Sequence, residues 1–323
     1  MVESFGEKSI ESLCDELVTD AGLTIEVDAE FGSLTTYRVG GRAAVMATAG
    51  SVESVVFAAQ AARAHGLATF ILGRGSNTLV SESGFNGLVI RLGSFAEHVE
   101  IGDEVSGRIL CSVGSAALLP VVARRTAAAG ASGFEWAVGV PGSVGGAVRM
   151  NAGGHGSDMA AGLISATVLD TRTAEVNERP VASLGLGFRS STITDYEVVL
   201  GAVLELVPVE ASLALDRVDE IVRWRREHQP GGQNCGSVFV NPVPGEVSAG
   251  ALIDDLGLRG LRIGSAHVSE RHANFIQADP EGRADDVADL IVEVRSRVLK
   301  RTGFDLRTEV RLVGFDGHDV LGV

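Results

Sequence analysis

The chain has 323 residues, 45% apolar and 21% charged, enough to close two or three cores and too apolar for long disorder. A net charge of −15 excludes a general nucleic-acid binder, which needs surplus Lys and Arg against phosphates, so any anionic ligand must meet a local arginine cluster. Cys14, Cys111 and Cys235 lack metal-type spacing, no basic leader precedes an apolar run, and no window approaches roughly 18 apolar residues; a soluble cytoplasmic protein without membrane partners is expected.

In chain order, the first 20 or so residues predict an amphipathic acidic helix. Ser51 is placed to N-cap a helix carrying Val52, Val55, Val56, Ala59 and Ala62, with Gly66 beyond its end. A strand at Thr69 to Leu72 leads into the loop GRGSN, Gly73 to Asn77, and a second strand is expected at Leu88 to Leu92. A helix from about Ala116 to Ala129 follows, then a glycine-rich segment to Gly156 and strands at Ala166 to Asp170 and Glu197 to Leu206. Beyond Pro208 come helices at Leu215 to His228 and Ala249 to Leu256, a strand at Asn274 to Gln277 and a long helix burying Val287, Leu290, Ile291, Val294 and Val298. The final strand, Leu306 to Val313, alternates apolar Leu306, Val310 and Leu312 with Arg307, Glu309 and Arg311. The expected partition is 1–92, 93–208 and 209–323.

A Gly-x-Gly after a strand raises the dinucleotide fold. The third glycine of that pattern falls on Thr78, and the following LVSESGFNG is turn-like, so the Rossmann reading fails on context. Gly73 and Gly75 still permit backbone N–H groups to converge on an anion, with Arg74, Ser76 and Asn77 as further donors; a tight hairpin connection is the bland alternative. The second loop, GVPGSVGGAVRMNAGGHG, holds seven glycines in eighteen residues and almost no charge. Such a run reads as backbone packed against a large flat ligand, or as a buried crossing of two chain segments. The seven histidines show no metal-type pairing, and no metal is expected.

Seven motifs in order resemble one family: TTYRVGGRA, LGRGSNTLV, EWAVGVPGSVGGAVRMNAGGHG, FRSST, CGSVFVNP, AGALIDDLGLRGLRIGSAHVSERHANFI and TEVRLVG. Together, from Leu34 to Gly314, they are similar to the UDP-N-acetylenolpyruvoylglucosamine reductases of peptidoglycan synthesis. The resemblance implies an α+β fold: a two-lobed FAD-binding domain of the vanillyl-alcohol-oxidase type, 1–92 and 93–208, and a substrate-binding domain, 209–323. It implies noncovalent FAD lined by Arg74, Gly75, Ser76, Asn77, Gly139, Pro141, Gly142, Gly145 and Gly146, with Asn151 and Gly153 beside it.

It also implies the chemistry. Hydride passes from NADPH to FAD and on to C3 of the enolpyruvyl group, and C2 then takes a proton. Ser237 matches the proton donor, beside the flexible Gly236; on residues alone it reads as a strand-start serine bonded to its own backbone. Arg189 matches the clamp on the substrate carboxylate, which a permanently charged, two-pronged guanidinium suits. Glu309 matches a C-terminal catalytic glutamate, although by pattern it is a solvated strand-face residue. Asn241 matches a contact to the UDP moiety; Arg225 or Arg226 is a candidate for the diphosphate, and Asn274 for the substrate pocket or for packing. No room exists between Arg189 and Leu206 for the tyrosine loop of the longer family type, and a monomer is expected.

Overall fold

The structure, a computed structural model, describes residues 3–315. The chain divides into two compact units. The first comprises the chain up to Val27, Ala44–Arg74 and Gly87–Arg225; the second comprises Asp28–Ala43, Gly75–Asn86 and the chain from Arg226 onward.

In the first unit, helix α1 (Glu3–Leu17) and helix α2 (Val52–Ala64) lie with a four-stranded sheet ordered Leu23–Ala29, Ala43–Ala49, Phe85–Leu92, Ala68–Leu72. The last two strands run parallel, with Ala68 opposite Gly87. Ser51 caps α2 as its sequence position predicts, its hydroxyl accepting from the Ser54 N–H, and Gly66 leaves the helix with a positive φ of 69°. Leu13 and Leu17 of α1 join Val45, Val55, Ala58, Leu88 and Ile90 in one core, where the alanines of α2 permit close approach to the sheet.

A second, antiparallel sheet is ordered Glu175–Pro180, Leu163–Asp170, Glu197–Pro208, Arg108–Gly114, Val99–Val105. Helices α3 (Leu119–Ala128) and α4 (Val144–Met150) and the last helix of this unit, α5 (Ala211–His228), bury residues in a separate core with Val113, Phe134, Trp136, Leu204 and Leu206. Phe134 and Trp136 meet edge to face at 5.2 Å.

The second unit carries helices α6 (Ala249–Asp255) and α7 (Ala284–Thr302) and a three-stranded antiparallel sheet, Arg262–Ile263, Ala266–Val268, Ile276–Ala278. The stripe Val287, Leu290, Ile291, Val294 and Val298 is buried as its helical spacing predicts, and Gly303 ends α7 at φ 79°. Tyr37, Val39 and Leu79 enter this same core with Val238, Phe239 and Leu306, although the sequence placed them in the first lobe. A short parallel pair explains this: Thr78–Val80 runs beside Arg311–Val313, with Thr78 opposite Arg311. No local pattern announces a pairing across so much intervening chain.

The expected C-terminal strand is therefore shorter than its alternation suggests. Only Arg311–Val313 is strand, because the segment changes partners: Thr308 bridges Phe239, and from Arg311 onward the chain pairs with Thr78–Val80.

Candidate active site

Both glycine loops owe much of their composition to close approach of the chain to itself. A side chain at Gly73 would stand 2.5 Å from Ser143 Oγ. Gly75 has φ 66°, and a Cβ there would lie 2.9 Å from Thr35 Cα and 3.0 Å from the Leu34 carbonyl. Its neighbours Ser76 and Asn77 are half-buried, and Arg74 is exposed. Since backbone cannot retreat as a flexible side chain can, Gly75→Ala is expected to lower stability by about 1–3 kcal/mol. Urea unfolding checks this; a midpoint at the wild-type value sinks it.

The second loop behaves similarly. The N–H groups of Gly142, Val144 and Gly145 donate to the carbonyls of Val140, Ala117 and Ser115. A Cβ at Gly145 would meet Ser115 Cβ at 2.9 Å, and one at Gly153 would meet Asp158 Cβ at 2.6 Å. At Gly139 it would meet Arg225 Cδ at 2.9 Å and His155 Nε2 at 3.2 Å. Gly146 differs: it is exposed, and its Cβ position meets only Ser143 Oγ, at 3.9 Å. Pro141 is exposed beside buried Gly142.

Arg225 is half-buried, and burial holds its pKa below the usual guanidinium range. Burial first, then the Arg225 charge, lowers the His155 pKa, and the Trp224 ring meets His155 edge-on at 5.0 Å. Arg226 is exposed, and its carbonyl accepts from Arg271 Nη1. Of the pair, Arg225 is the one that lies beside Gly139.

Arg189 adopts a left-handed backbone, φ 56°, which costs a non-glycine residue roughly 1–2 kcal/mol. Its Nη1 and Nη2 donate to the carbonyls of Asn151 (3.3 Å) and Gly153 (2.8 Å), and its guanidinium lies 5.1 Å from the centre of the Phe188 ring. Asn151, 3% exposed, is itself left-handed and ends α4. Its amide donates to Asp158 Oδ2 and the Gly187 carbonyl and accepts from the Ala160 N–H. The Asn151 side chain thus braces the Arg189 loop.

In the second unit, Ser237 follows Gly236, whose φ of 81° opens onto free space at its Cβ position. Among the described residues the half-buried Ser237 hydroxyl forms no hydrogen bond, its own backbone included. Glu309, half-buried, lies on the adjacent segment: its N–H donates to the Val238 carbonyl at 2.7 Å. The structure thus brings Ser237 and Glu309 onto neighbouring segments of one unit; Arg189 belongs to the other.

Beside them Cys235 is 6% exposed, and burial above all, with the Glu309 charge adding to it, pushes its thiol well up. The Tyr37 hydroxyl faces that thiol without a hydrogen bond of good geometry, and burial raises its pKa too. A thiol this reluctant to ionise is no nucleophile.

The two asparagines of this unit expected at the substrate are engaged by backbone. Asn241 Oδ1 accepts from the Ala249 N–H at the start of α6. Asn274, 4% exposed, accepts from the Phe239 N–H and donates to the Phe239 carbonyl. It lies in the turn before the strand Ile276–Ala278, not within a strand starting at Asn274.

Two buried hydroxyls bear on a cofactor. Ser115 Oγ and Thr36 Oγ1 have no hydrogen-bond partner, and each borders a glycine loop within its own unit: the Ser115 carbonyl accepts from Gly145, and the Thr36 N–H donates to Gly75. An orphaned buried hydroxyl costs about 1–3 kcal/mol, which a ligand rich in nitrogen and oxygen relieves. In the first unit, the Ser115 hydroxyl and the open face at Gly146 fit a flavin nucleotide. Among the described residues no cluster of three or more His, Cys, Asp or Glu is placed to hold a metal, and no helix is long and apolar enough to cross a membrane.

A domain family described as FAD binding domain matches residues 43–178. The α+β architecture, the glycine loops and this match define an FAD-dependent oxidoreductase. Residues 228–313 match the family described as UDP-N-acetylenolpyruvoylglucosamine reductase, C-terminal domain. The UDP-N-acetylenolpyruvoylglucosamine reductase of Gloeobacter violaceus is 40% identical over 284 residues, 87% of this chain and 93% of that one. That of Rubrobacter xylanophilus is 38% identical over 282 residues, 87% and 92%. Among solved structures, the UDP-N-acetylenolpyruvylglucosamine reductase of Thermus caldophilus matches with a TM-score of 0.74 at 33% identity, over 90% of this chain and 98% of that one. The chain belongs to the UDP-N-acetylenolpyruvoylglucosamine reductase family, and its fold class is the one its motifs implied.

Proposed function

We propose that this protein reduces UDP-N-acetylglucosamine enolpyruvate to UDP-N-acetylmuramate with NADPH, in cytoplasmic peptidoglycan precursor synthesis. The observation that carries the reading is the unpartnered Ser237 hydroxyl, on a segment bonded to that of Glu309, in a chain 40% identical to a reductase of that name. Bound FAD supplies the hydride chemistry between NADPH and C3 of the enolpyruvyl group.

The protein's own groups bind, orient and protonate. The Arg189 guanidinium, its plane set by the carbonyls of Asn151 and Gly153, takes the substrate carboxylate with paired charge-assisted hydrogen bonds. The Ser237 hydroxyl, with no hydrogen bond among the described residues, delivers the proton to C2. Glu309 shares in that proton's movement. The diphosphate is met by arginine, for which half-buried Arg225 is better placed to lose water than exposed Arg226.

An anaerobic visible spectrum of the purified protein tests this. The yellow colour is expected to bleach with NADPH and to return on adding the enolpyruvyl nucleotide. Return of colour only with oxygen would indicate an oxidase of the same fold; a colourless protein that takes up no FAD would overturn the reading.

A further inference from the structure

Glu309 and Ser237 are held by backbone whose outer hydrogen bonds come from two asparagine side chains. On one side the Glu309 N–H donates to the Val238 carbonyl at 2.7 Å, and the Val240 N–H donates to the Arg307 carbonyl at 2.9 Å. On its other side the Glu309 carbonyl accepts from Asn77 Nδ2 at 2.8 Å, while the Asn77 carbonyl accepts from the Arg311 N–H at 3.0 Å. The Asn77 side chain thus extends the parallel pairing of Thr78–Val80 with Arg311–Val313 one step past its end. Both backbone polar groups of Glu309 are thereby used.

Across the Ser237 segment the second amide does the same. The Asn274 side chain accepts from the Phe239 N–H at 3.0 Å and donates to the Phe239 carbonyl at 2.8 Å, and the Asn274 backbone carbonyl accepts from the Val238 N–H at 2.9 Å. Three hydrogen bonds to two consecutive residues mimic a strand partner where no strand exists. At 4% exposure Asn274 is shielded from competing water. On the N-terminal side the left-handed Gly236 is held by one hydrogen bond, its N–H to Asn234 Oδ1 at 3.1 Å, whereas on the C-terminal side Asn274 makes three.

We propose that Asn77 and Asn274 are positioning residues that clamp the Glu309 and Ser237 segments in register, acting through backbone. This rests on the proton-delivery reading of Ser237 and goes beyond it. The Gly75–Asn77 stretch expected to line the cofactor then also belongs to the frame that holds Glu309.

The experiment compares the holoenzyme with Asn274→Leu, similar in size without the amide, and with the milder Asn77→Ser. In wild type the amides of Phe239, Glu309 and Arg311 are expected to exchange slowly with solvent. Exchange at Phe239 in Asn274→Leu, and at Glu309 and Arg311 in Asn77→Ser, is expected to quicken about 10-fold. In Asn274→Leu, anaerobic stopped-flow is expected to show flavin reduction by NADPH within about 2-fold of wild type and reoxidation by the enolpyruvyl nucleotide slowed on the order of 100-fold. Introduced into Ser237→Ala, the Asn274 change is expected to add less than about 3-fold, because it acts through Ser237.

Quickened exchange with wild-type reoxidation overturns the proposal, as do equal losses in both half-reactions or full additivity with Ser237→Ala. If Asn274→Leu does not fold, Asn77→Ser decides alone: faster exchange at Glu309 with slowed reoxidation supports the clamp, and unchanged exchange removes it. Ser237→Ala by itself judges the proton-donor reading, so failure of that reading is seen separately.

Discussion

Ser237→Ala is expected to leave the reduction of bound flavin by NADPH within about 2-fold of wild type and to slow its reoxidation by the enolpyruvyl nucleotide by about 10²–10⁴-fold, the range for losing a positioned proton donor. The structure makes this variant easy to interpret. The Ser237 hydroxyl bonds to nothing among the described residues and is only half-buried, so its removal leaves no protein group unsatisfied. Stability is expected to change by no more than about 0.5 kcal/mol. Rapid-mixing absorbance under anaerobic conditions separates the half-reactions; equal slowing of both, or of neither, would end the proton-donor assignment.

Replacing Arg189 by lysine keeps the charge and is expected to cost on the order of 10²–10³-fold in kcat/KM for the enolpyruvyl nucleotide, with flavin reduction by NADPH little altered. Arg189 lies between two carbonyls, those of Asn151 and Gly153, with Phe188 against its face. A lysine ammonium has donors enough for one or both carbonyls, but no planar fork to offer a carboxylate at the same time. The loop already carries the strain of a left-handed arginine, and loss of the guanidinium removes two of the hydrogen bonds that offset it. Steady-state kinetics at varied nucleotide concentration decide the matter: a KM and kcat both within about 2-fold of wild type would place the carboxylate elsewhere.

Much of this protein was legible in its local patterns. The Ser51 cap, the Gly66 and Gly303 terminations and the apolar stripe of α7 are short-range features, each set by residues within one or two turns. The absence of a Rossmann helix was equally local, since it needed only Thr78 and the turn-like residues after it. Fold class followed from the motifs, and the family assignment agrees with them.

What the residues do individually was less legible. Asn274 was open between the substrate pocket and packing because an amide's partners are invisible in sequence; the fold gives its side chain to the Phe239 backbone and that of Asn151 to Gly187, Ala160 and Asp158. Glycines read as room for a cofactor are, at Gly75, Gly139, Gly145 and Gly153, also room for another part of the chain. Sequence alone determined the Ser51 cap, the α7 stripe and the glycine loops, because local periodicity and composition carry that information, whereas Ser237, Arg189 and Glu309 stood out only through the family motifs. Only tertiary structure decided which amides clamp, which glycines are crossings, and that Thr78–Val80 lies beside Arg311–Val313. Those are contacts between segments distant in the chain, and hydrogen-bond geometry between distant segments leaves no periodic trace in either one.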